Sequence, residues 1–442
     1  MGRSLRLTLI AAVALPVVAL LAFGVFALRG PVEPIAVPAR SAFDDPVIAR
    51  GASLAAIGNC AGCHSRPDAP PFSGGLPLQT PFGTIYTSNI TPDAAHGIGR
   101  WSRAAFDRAM RAGVSRDGHL LYPAFPYDHF THLGDDDLAA LYAFVMTRTA
   151  VDVAPPPNEL KFPFGFRPLV AGWNLLYLDR RPFVADANRD AQWARGAYLS
   201  EALAHCSACH SPRNALGAER RSAAFAGGEA EGWYAPPLNA DSPSPQPWTV
   251  PVLTEYLRTG IAPQHAIAGG PMQGVALGLG DASEADVQAI ATYVVSLMGA
   301  PSAARQQRAA ATLARAAQPL AATPAADDPQ LVLGATVYAG ACASCHDRGR
   351  RASSNGALRM PLAVAVHDAD PRSLLRIVRH GITPPDGARG RLMPAFGNSL
   401  TDDQLTALAA YLRRYAADAP AWRDLARTVR ETREPFAAKE PS

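Results

Sequence analysis

Residues 49–64 read ARGASLAAIGNCAGCH, and the stretch ends in Cys60-Ala-Gly-Cys63-His64. The same ending closes ARGAYLSEALAHCSACH at 194–210 and VLGATVYAGACASCH at 332–346. These units use Cys60, Cys63, Cys206, Cys209, Cys342 and Cys345, which are all six cysteines of the chain. Two thiols one turn apart can form thioethers to the two vinyl groups of one porphyrin. The histidine that follows then lies under the iron as its proximal ligand. Redox dithiols, zinc clusters and disulfides also use paired cysteines. None of them calls for one histidine-tailed spacing three times with no cysteine left over. The sequence therefore predicts covalent haem c at three places, with His64, His210 and His346 as iron ligands.

Working outward, each motif has a similar helical lead-in, and each is followed at a distance by a similar closing helix. The closing helices are DDDLAALYAFVM from Asp135, EADVQAIATYVVSLM from Glu284 and TDDQLTALAAYLRRY from Thr401. Apolar residues recur in them at three- and four-residue spacing, behind an Asp, Ser or Thr expected as N-cap. Phe144, Tyr293 and Tyr411 occupy equivalent places and are expected to pack on the lead helix. A chain of 442 residues with this threefold plan suits about three domains. A net charge of +3 gives no sign of nucleic-acid binding, and the basic residues are nearly all Arg.

The expected fold is mainly α, with three consecutive cytochrome c-type haem domains bearing long loops, plus an N-terminal hydrophobic helix. The boundaries are 42–150 for the first domain, 191–300 for the second and 329–418 for the third. A linker at 151–190, rich in large apolar groups, is expected to pack on a neighbouring surface. An Ala-rich linker at 301–328 is expected to form a partial helix within a more mobile join. In the tail, 419–442, an apolar stripe of Trp422, Leu425, Ala426 and Val429 predicts a helix docked on the third domain.

Residues 1–30 hold an uncharged, mostly apolar run from Leu7 to Leu28 between Arg6 and Arg29. That is a signal peptide, with Val25-Phe-Ala27 as a cleavage site, or a retained signal anchor, which its length favours. Haem is attached covalently outside the bacterial cytoplasm, so either form places the haem domains on the periplasmic side of the inner membrane.

An electron-carrying haem needs a second axial ligand, and methionine is the usual one opposite histidine. GGPMQGV offers Met272 and RLMPAFGN offers Met393, both on Gly- or Pro-rich loops before a closing helix. Met110, Met146 and Met298 sit at helix positions expected in the core, and Met360 competes with Met393.

With these motifs the chain resembles the triheme cytochrome c subunits of membrane-bound bacterial dehydrogenases acting on alcohols, gluconate, polyols and aldehydes. The resemblance runs from residue 45 to 418 and rests also on TIYTSNITPDAAHGIGRWSRAAFDRAMRAGV (84–114), LYPAFPYDHFT (121–131) and LMPAFGNSLTDDQ (392–404). It implies Met272 and Met393 as sixth ligands in the second and third domains. In the first domain Phe125 stands where the alcohol dehydrogenase branch carries methionine, and phenyl cannot ligate iron. The Phe version with a downstream histidine is similar to the partners of molybdenum hydroxylases for nicotinate, isoquinoline or aldehydes.

His129 is the leading ligand for the first iron, with Met110, His119, His132 or a five-coordinate site as alternatives. The function implied is electron transfer from a dehydrogenase catalytic subunit to membrane ubiquinone or another terminal acceptor, with no substrate-converting site on this chain. The rivals are the cytochrome subunit of a quinoprotein or flavoprotein dehydrogenase, a respiratory oxidase subunit, and a peroxidase-like haem enzyme with an open first haem.

Overall fold

A computed structural model of the chain describes residues 23–24, 27–320, 324–347, 357–384 and 391–433. The fold is mainly helical, and the chain divides after Val184 into two compact units. The first unit holds one copy of the repeated plan. Its lead helix is Asp45–Ile57, its middle helix Arg103–Ala112 and its closing helix Asp135–Met146. The second unit holds the other two copies. Their lead helices are Ala191–Tyr198 and Pro329–Val337, their middle helices Val250–Thr259 and Arg372–His380, and their closing helices Glu284–Met298 and Asp402–Tyr415.

One glycine in each lead helix explains why the helix pairs recur. A Cβ added to Gly51 would lie 2.0 Å from the carbonyl oxygen of Ala140 on the closing helix. The same distance is 1.9 Å from Gly196 to Ala289 and 2.2 Å from Gly334 to Ala407. Each lead helix thus presses its backbone directly on the partner, which only a residue without a side chain allows. One turn further along the closing helices stand Phe144, Tyr293 and Tyr411, as expected from the sequence, and their Cβ atoms flank the same glycines. In the first two pairs an arginine before the glycine reaches an aspartate of the closing helix. Arg50 meets Asp137 at 2.6 Å and Arg195 meets Asp286 at 2.8 Å. The third copy has Leu333 and Gln404 in these places.

Several expectations require correction. The lead-ins are expected to carry each motif at the C-terminal end of one short helix, but in the first copy Asn59 takes a left-handed conformation and Cys60–His64 forms its own turn. In the other copies a π-helical turn, Leu199–Leu203 or Tyr338–Cys342, follows the lead helix. The first closing helix is capped by Gly134 rather than by an aspartate, whereas Ser283 and Thr401 do cap theirs. The Ala-rich linker contains the expected helix, but over its described residues it is packed on the second copy rather than slack. It forms the helix Ala303–Ala316, buries Ala309 and Ala316, and receives Gln246 Nε2 on the Ala309 carbonyl at 2.9 Å. Its small side chains let it lie close to the second copy.

The linker at 151–190 is packed on one face only. Its helix Leu169–Tyr177 buries Val170, Ala171 and Asn174, while Leu175 and Leu176 stay exposed. Trp422 and Val429 of the tail are buried in the third copy's core, as expected, but Trp422 precedes the helix Leu425–Glu431 and Ala426 is exposed. Most of the predicted N-terminal helix lies outside the described residues. Among those described, Phe23 and Ala27 pack with Val170 and Ala171, and no single helix is long and apolar enough to cross a membrane.

Candidate haem-binding sites

The three motif histidines share one arrangement. Nδ1 of His64 lies 2.7 Å from the carbonyl oxygen of Ser88, that of His210 2.6 Å from Pro236, and that of His346 2.7 Å from Leu358. A carbonyl only accepts, so Nδ1 carries the proton and Nε2 is left with its lone pair. This is how an iron-ligating imidazole is held, with its outer nitrogen donating to a fixed acceptor. Burial lowers all three imidazoles below their ordinary range, which keeps them neutral and able to ligate. Burial also pushes the Cys60 and Cys206 thiols up to about 12 and Cys342 to about 11. A redox dithiol needs a depressed thiol instead.

The first two copies match beyond the motif. The Ser65 and Ser211 hydroxyls accept from the backbone N–H of Phe72 and Phe225, at 3.0 and 2.9 Å. Both phenylalanines have positive φ.

Between each motif and its closing helix lies the middle helix. Each middle helix ends at a glycine with positive φ, namely Gly113, Gly260 and Gly381. Phe125, Met272 and Met393 each stand twelve positions after that glycine. The loops also fold alike at first, since Gly113 O accepts from Leu121 N and Gly260 O from Ala268 N, both at 2.7 Å. Phe125 therefore holds the register of the two methionines, as the sequence had suggested.

Met393 lies on extended backbone, where it exchanges both N–H···O bonds with Ile382 at 2.9 Å. It lines a cavity of about 510 Å³ together with Cys342, Cys345, His346 and Met360. Both thiols, the imidazole and the thioethers of Met393 and its competitor Met360 thus face one apolar space, walled by residues such as Val366 and Leu374. This donor set and wall fit a porphyrin. Met272 is not on an extended loop, contrary to expectation. It sits in the first turn of the helix Pro271–Gly280, because Pro271 is preorganised for a helix start.

In the first site Met110 is buried in the core, as are Met146 and Met298. His119 pairs with Asp117 at 2.6 Å. His129 lies half-buried on the one-turn helix Tyr127–Phe130, which starts after Pro126. His132 has its Nδ1 on the Arg181 carbonyl at 2.5 Å. Sequence reading missed the carbonyl partners of the motif histidines, which come from loops of unrelated sequence. It also passed over the lead-helix glycines, although the aligned lead-ins display them.

The gluconate 2-dehydrogenase cytochrome c subunit of Pantoea cypripedii is 37% identical to this chain, over 84% of this chain and 86% of that one. The chain belongs to the family of dehydrogenase cytochrome c subunits. The fructose dehydrogenase cytochrome subunit of Gluconobacter japonicus is 34% identical, over 85% of this chain and 80% of that one. A nicotinate dehydrogenase subunit of Pseudomonas putida is 45% identical over 92% of this chain, which spans about a third (33%) of that protein's length. Residues 329–412 also match the family described as cytochrome c oxidase, cbb3-type, subunit III. Membership implies covalent haem c. In the third site Cys342 and Cys345 would attach it and His346 and Met393 would ligate it.

Proposed function

We propose that this chain carries three covalently bound haem c groups and moves electrons on the periplasmic side of the bacterial inner membrane. Its electrons come from a partner dehydrogenase of the molybdenum hydroxylase type and leave to ubiquinone or another terminal acceptor. The observation that carries the reading is the threefold recurrence of one arrangement, a C-x-x-C-H turn whose histidine Nδ1 is held by a backbone carbonyl. Haem c supplies one-electron oxidation and reduction when bound. The chain's own residues attach it, ligate it and wall it with apolar side chains. The higher identity to the nicotinate dehydrogenase subunit than to the fructose and gluconate subunits supports the choice of partner. The apolar run from Leu7 to Leu28 supports export and membrane attachment.

His64 and His129 are proposed as the axial pair of the first site. Phe125 holds the methionine register, and His129 follows it by four residues. In the second copy the position four after Met272 is Ala276 on the same helix, one turn away on the same face and buried. In the first copy Pro126 separates Phe125 from the helix Tyr127–Phe130, so His129 would reach the iron from a turn of its own. This ligation lowers the potential of the first centre relative to the other two.

Haem quantification on the purified chain tests the count, and a ratio of one or two haems per chain sinks it. Replacing His129 with Ala is expected to change the spectrum and potential of one centre, with His132→Ala as control. If only His132→Ala changes them, the ligand is His132. Phe125 in the methionine register also favours an open first site. Carbon monoxide binding by the unaltered protein would establish that second reading. Copurification of a quinoprotein or flavoprotein would replace the molybdenum hydroxylase as partner.

A further inference from the structure

In the second unit the two methionine loops are joined. Gln273 follows Met272, and its Nε2 donates to the backbone carbonyl of Thr383 at 2.8 Å. Thr383 follows Ile382, whose N–H and C=O are both bonded to Met393 at 2.9 Å. The path from one thioether-bearing residue to the other is therefore a side-chain amide, one peptide and a paired backbone bridge.

The surroundings make this join stiff. Gly269 lies against the third copy, where an added Cβ would come within 3.4 Å of Ile377 and 3.7 Å of Ile382. Gly270, at φ 56°, sits on the face of Trp233, which a Cβ would strike at 2.4 Å. Ala266 and Ile267, from the hairpin leading to Met272, line the third copy's cavity beside Cys345 and Met393. The His265 carbonyl accepts from Val364 N at 2.9 Å. Along the same middle helix, Ser373 Oγ donates to Tyr234 O at 2.7 Å and Arg376 Nε to Gly232 O at 2.8 Å. The second copy thus completes the wall of the third site and grips its ligand loop.

We propose that Gln273 is a positioning residue for Met393 as well as for Met272, so that the second and third sites share one hydrogen-bonded clamp and do not set their potentials independently. The proposal rests on Met272 and Met393 being sixth ligands. Loss of the Gln273 bond frees the Thr383 carbonyl, loosens the Ile382–Met393 pairing and alters how firmly the thioether is presented.

The test uses the full-length holoprotein and the near-infrared band of methionine-ligated ferric haem. Met272→Ala removes the second site's contribution, so the remaining band reports the Met393 centre. Redox titration then compares Met272→Ala with Met272→Ala/Gln273→Leu. If the bond favours one oxidation state over the other by its full ordinary strength, its loss changes the ratio of oxidised to reduced centre about fivefold. At 59 mV per tenfold for one electron, that is a midpoint shift of about 40 mV. An unchanged midpoint overturns the clamp.

If Met272→Ala and Met393→Ala each leave the band intact, the ligand assignment has failed instead, and the two failures are thereby distinguished. Should the Leu variant not assemble, Gln273→Glu at the same length exchanges the donor for an acceptor, and the same comparison applies.

Discussion

Replacing Gly196 with Ala is the sharpest test of how the repeated helix pairs are held. The added Cβ would sit 1.9 Å from the Ala289 carbonyl oxygen and 3.0 Å from Tyr293 Cβ, where ordinary contact begins near 3.4 Å. The obstacle is backbone, so no rotamer relieves it. The helices must separate by about 1.5 Å, the difference between 3.4 and 1.9 Å. Such overpacking costs about 3 kcal/mol when backbone has to move. Alanine's better helix propensity returns about 1 kcal/mol, which leaves a net loss of about 2 kcal/mol. In a unit of this size that corresponds to a fall in Tm of roughly 4–8 °C.

The assay is thermal unfolding of the holoprotein followed by circular dichroism, with Gly274→Ala as control. Gly274 is also helical, but a Cβ there meets nothing within 4 Å, so that change should be neutral or stabilising by about 0.5–1 kcal/mol. Separation of the helices would also disturb Tyr293, which bonds Glu201 and stacks edge-on against Trp193. Unfolding of Gly196→Ala at or above the parent temperature would refute the close-packing argument. So would an equal effect at the two glycines.

Three further outcomes follow from the same geometry. Met393→His should abolish the near-infrared thioether band of one centre and lower its potential, as read by spectroelectrochemical titration. A double-mutant cycle on Arg195 and Asp286, bonded at 2.8 and 3.2 Å, should give a coupling of no more than about 1 kcal/mol, because the arginine is one-third exposed. That coupling should shrink as salt is added. Burial pushes the Asp402 carboxyl up, but the guanidiniums of Arg379 at 2.7 Å and Arg433 at 3.0 Å outweigh it and hold the carboxyl below its ordinary range. A depressed folded pKa stabilises above the unfolded value of about 3.9 and is lost as pH falls through the folded one. Asp402→Asn should therefore flatten the dependence of stability on pH below about pH 4, measured by denaturant titration at a series of pH values.

The parts of this protein legible in its sequence are those in which chemistry is local. A C-x-x-C-H turn places its own thiols and imidazole, so the attachment residues needed no tertiary information. The closing helices announce themselves by apolar spacing, and Ser283 and Thr401 by their cap chemistry. Gly134 was misread because Asp135, a good cap residue, stands beside it, while the backbone starts the helix one position earlier. The Ala-rich linker was misread because its composition suits a tether as well as a helix laid against a close neighbour. The burial of Ala309 and Ala316 and the bond from Gln246 to Ala309 reveal which it is. The carbonyls of Ser88, Pro236 and Leu358 were invisible because any residue can supply a carbonyl, and only the fold decides which one arrives.

The proposed sixth-ligand positions fall between these cases, and the reason bears on the first site. Met272 and Met393 share a register with Phe125 counted from a helix-ending glycine, yet one methionine opens a helix and the other lies on extended backbone. The register is thus set by the glycine and the loop length, and local conformation is free to differ among the copies. A ligand can then move one turn along the loop without disturbing the middle or closing helix. The Pro126 break and the short Tyr127–Phe130 turn present His129 at that next turn. Were Met272 and Met393 the thioether ligands of their copies, an imidazole ligand in the first copy would need a change in this loop alone, while Gly51 keeps the lead helix pressed on Ala140.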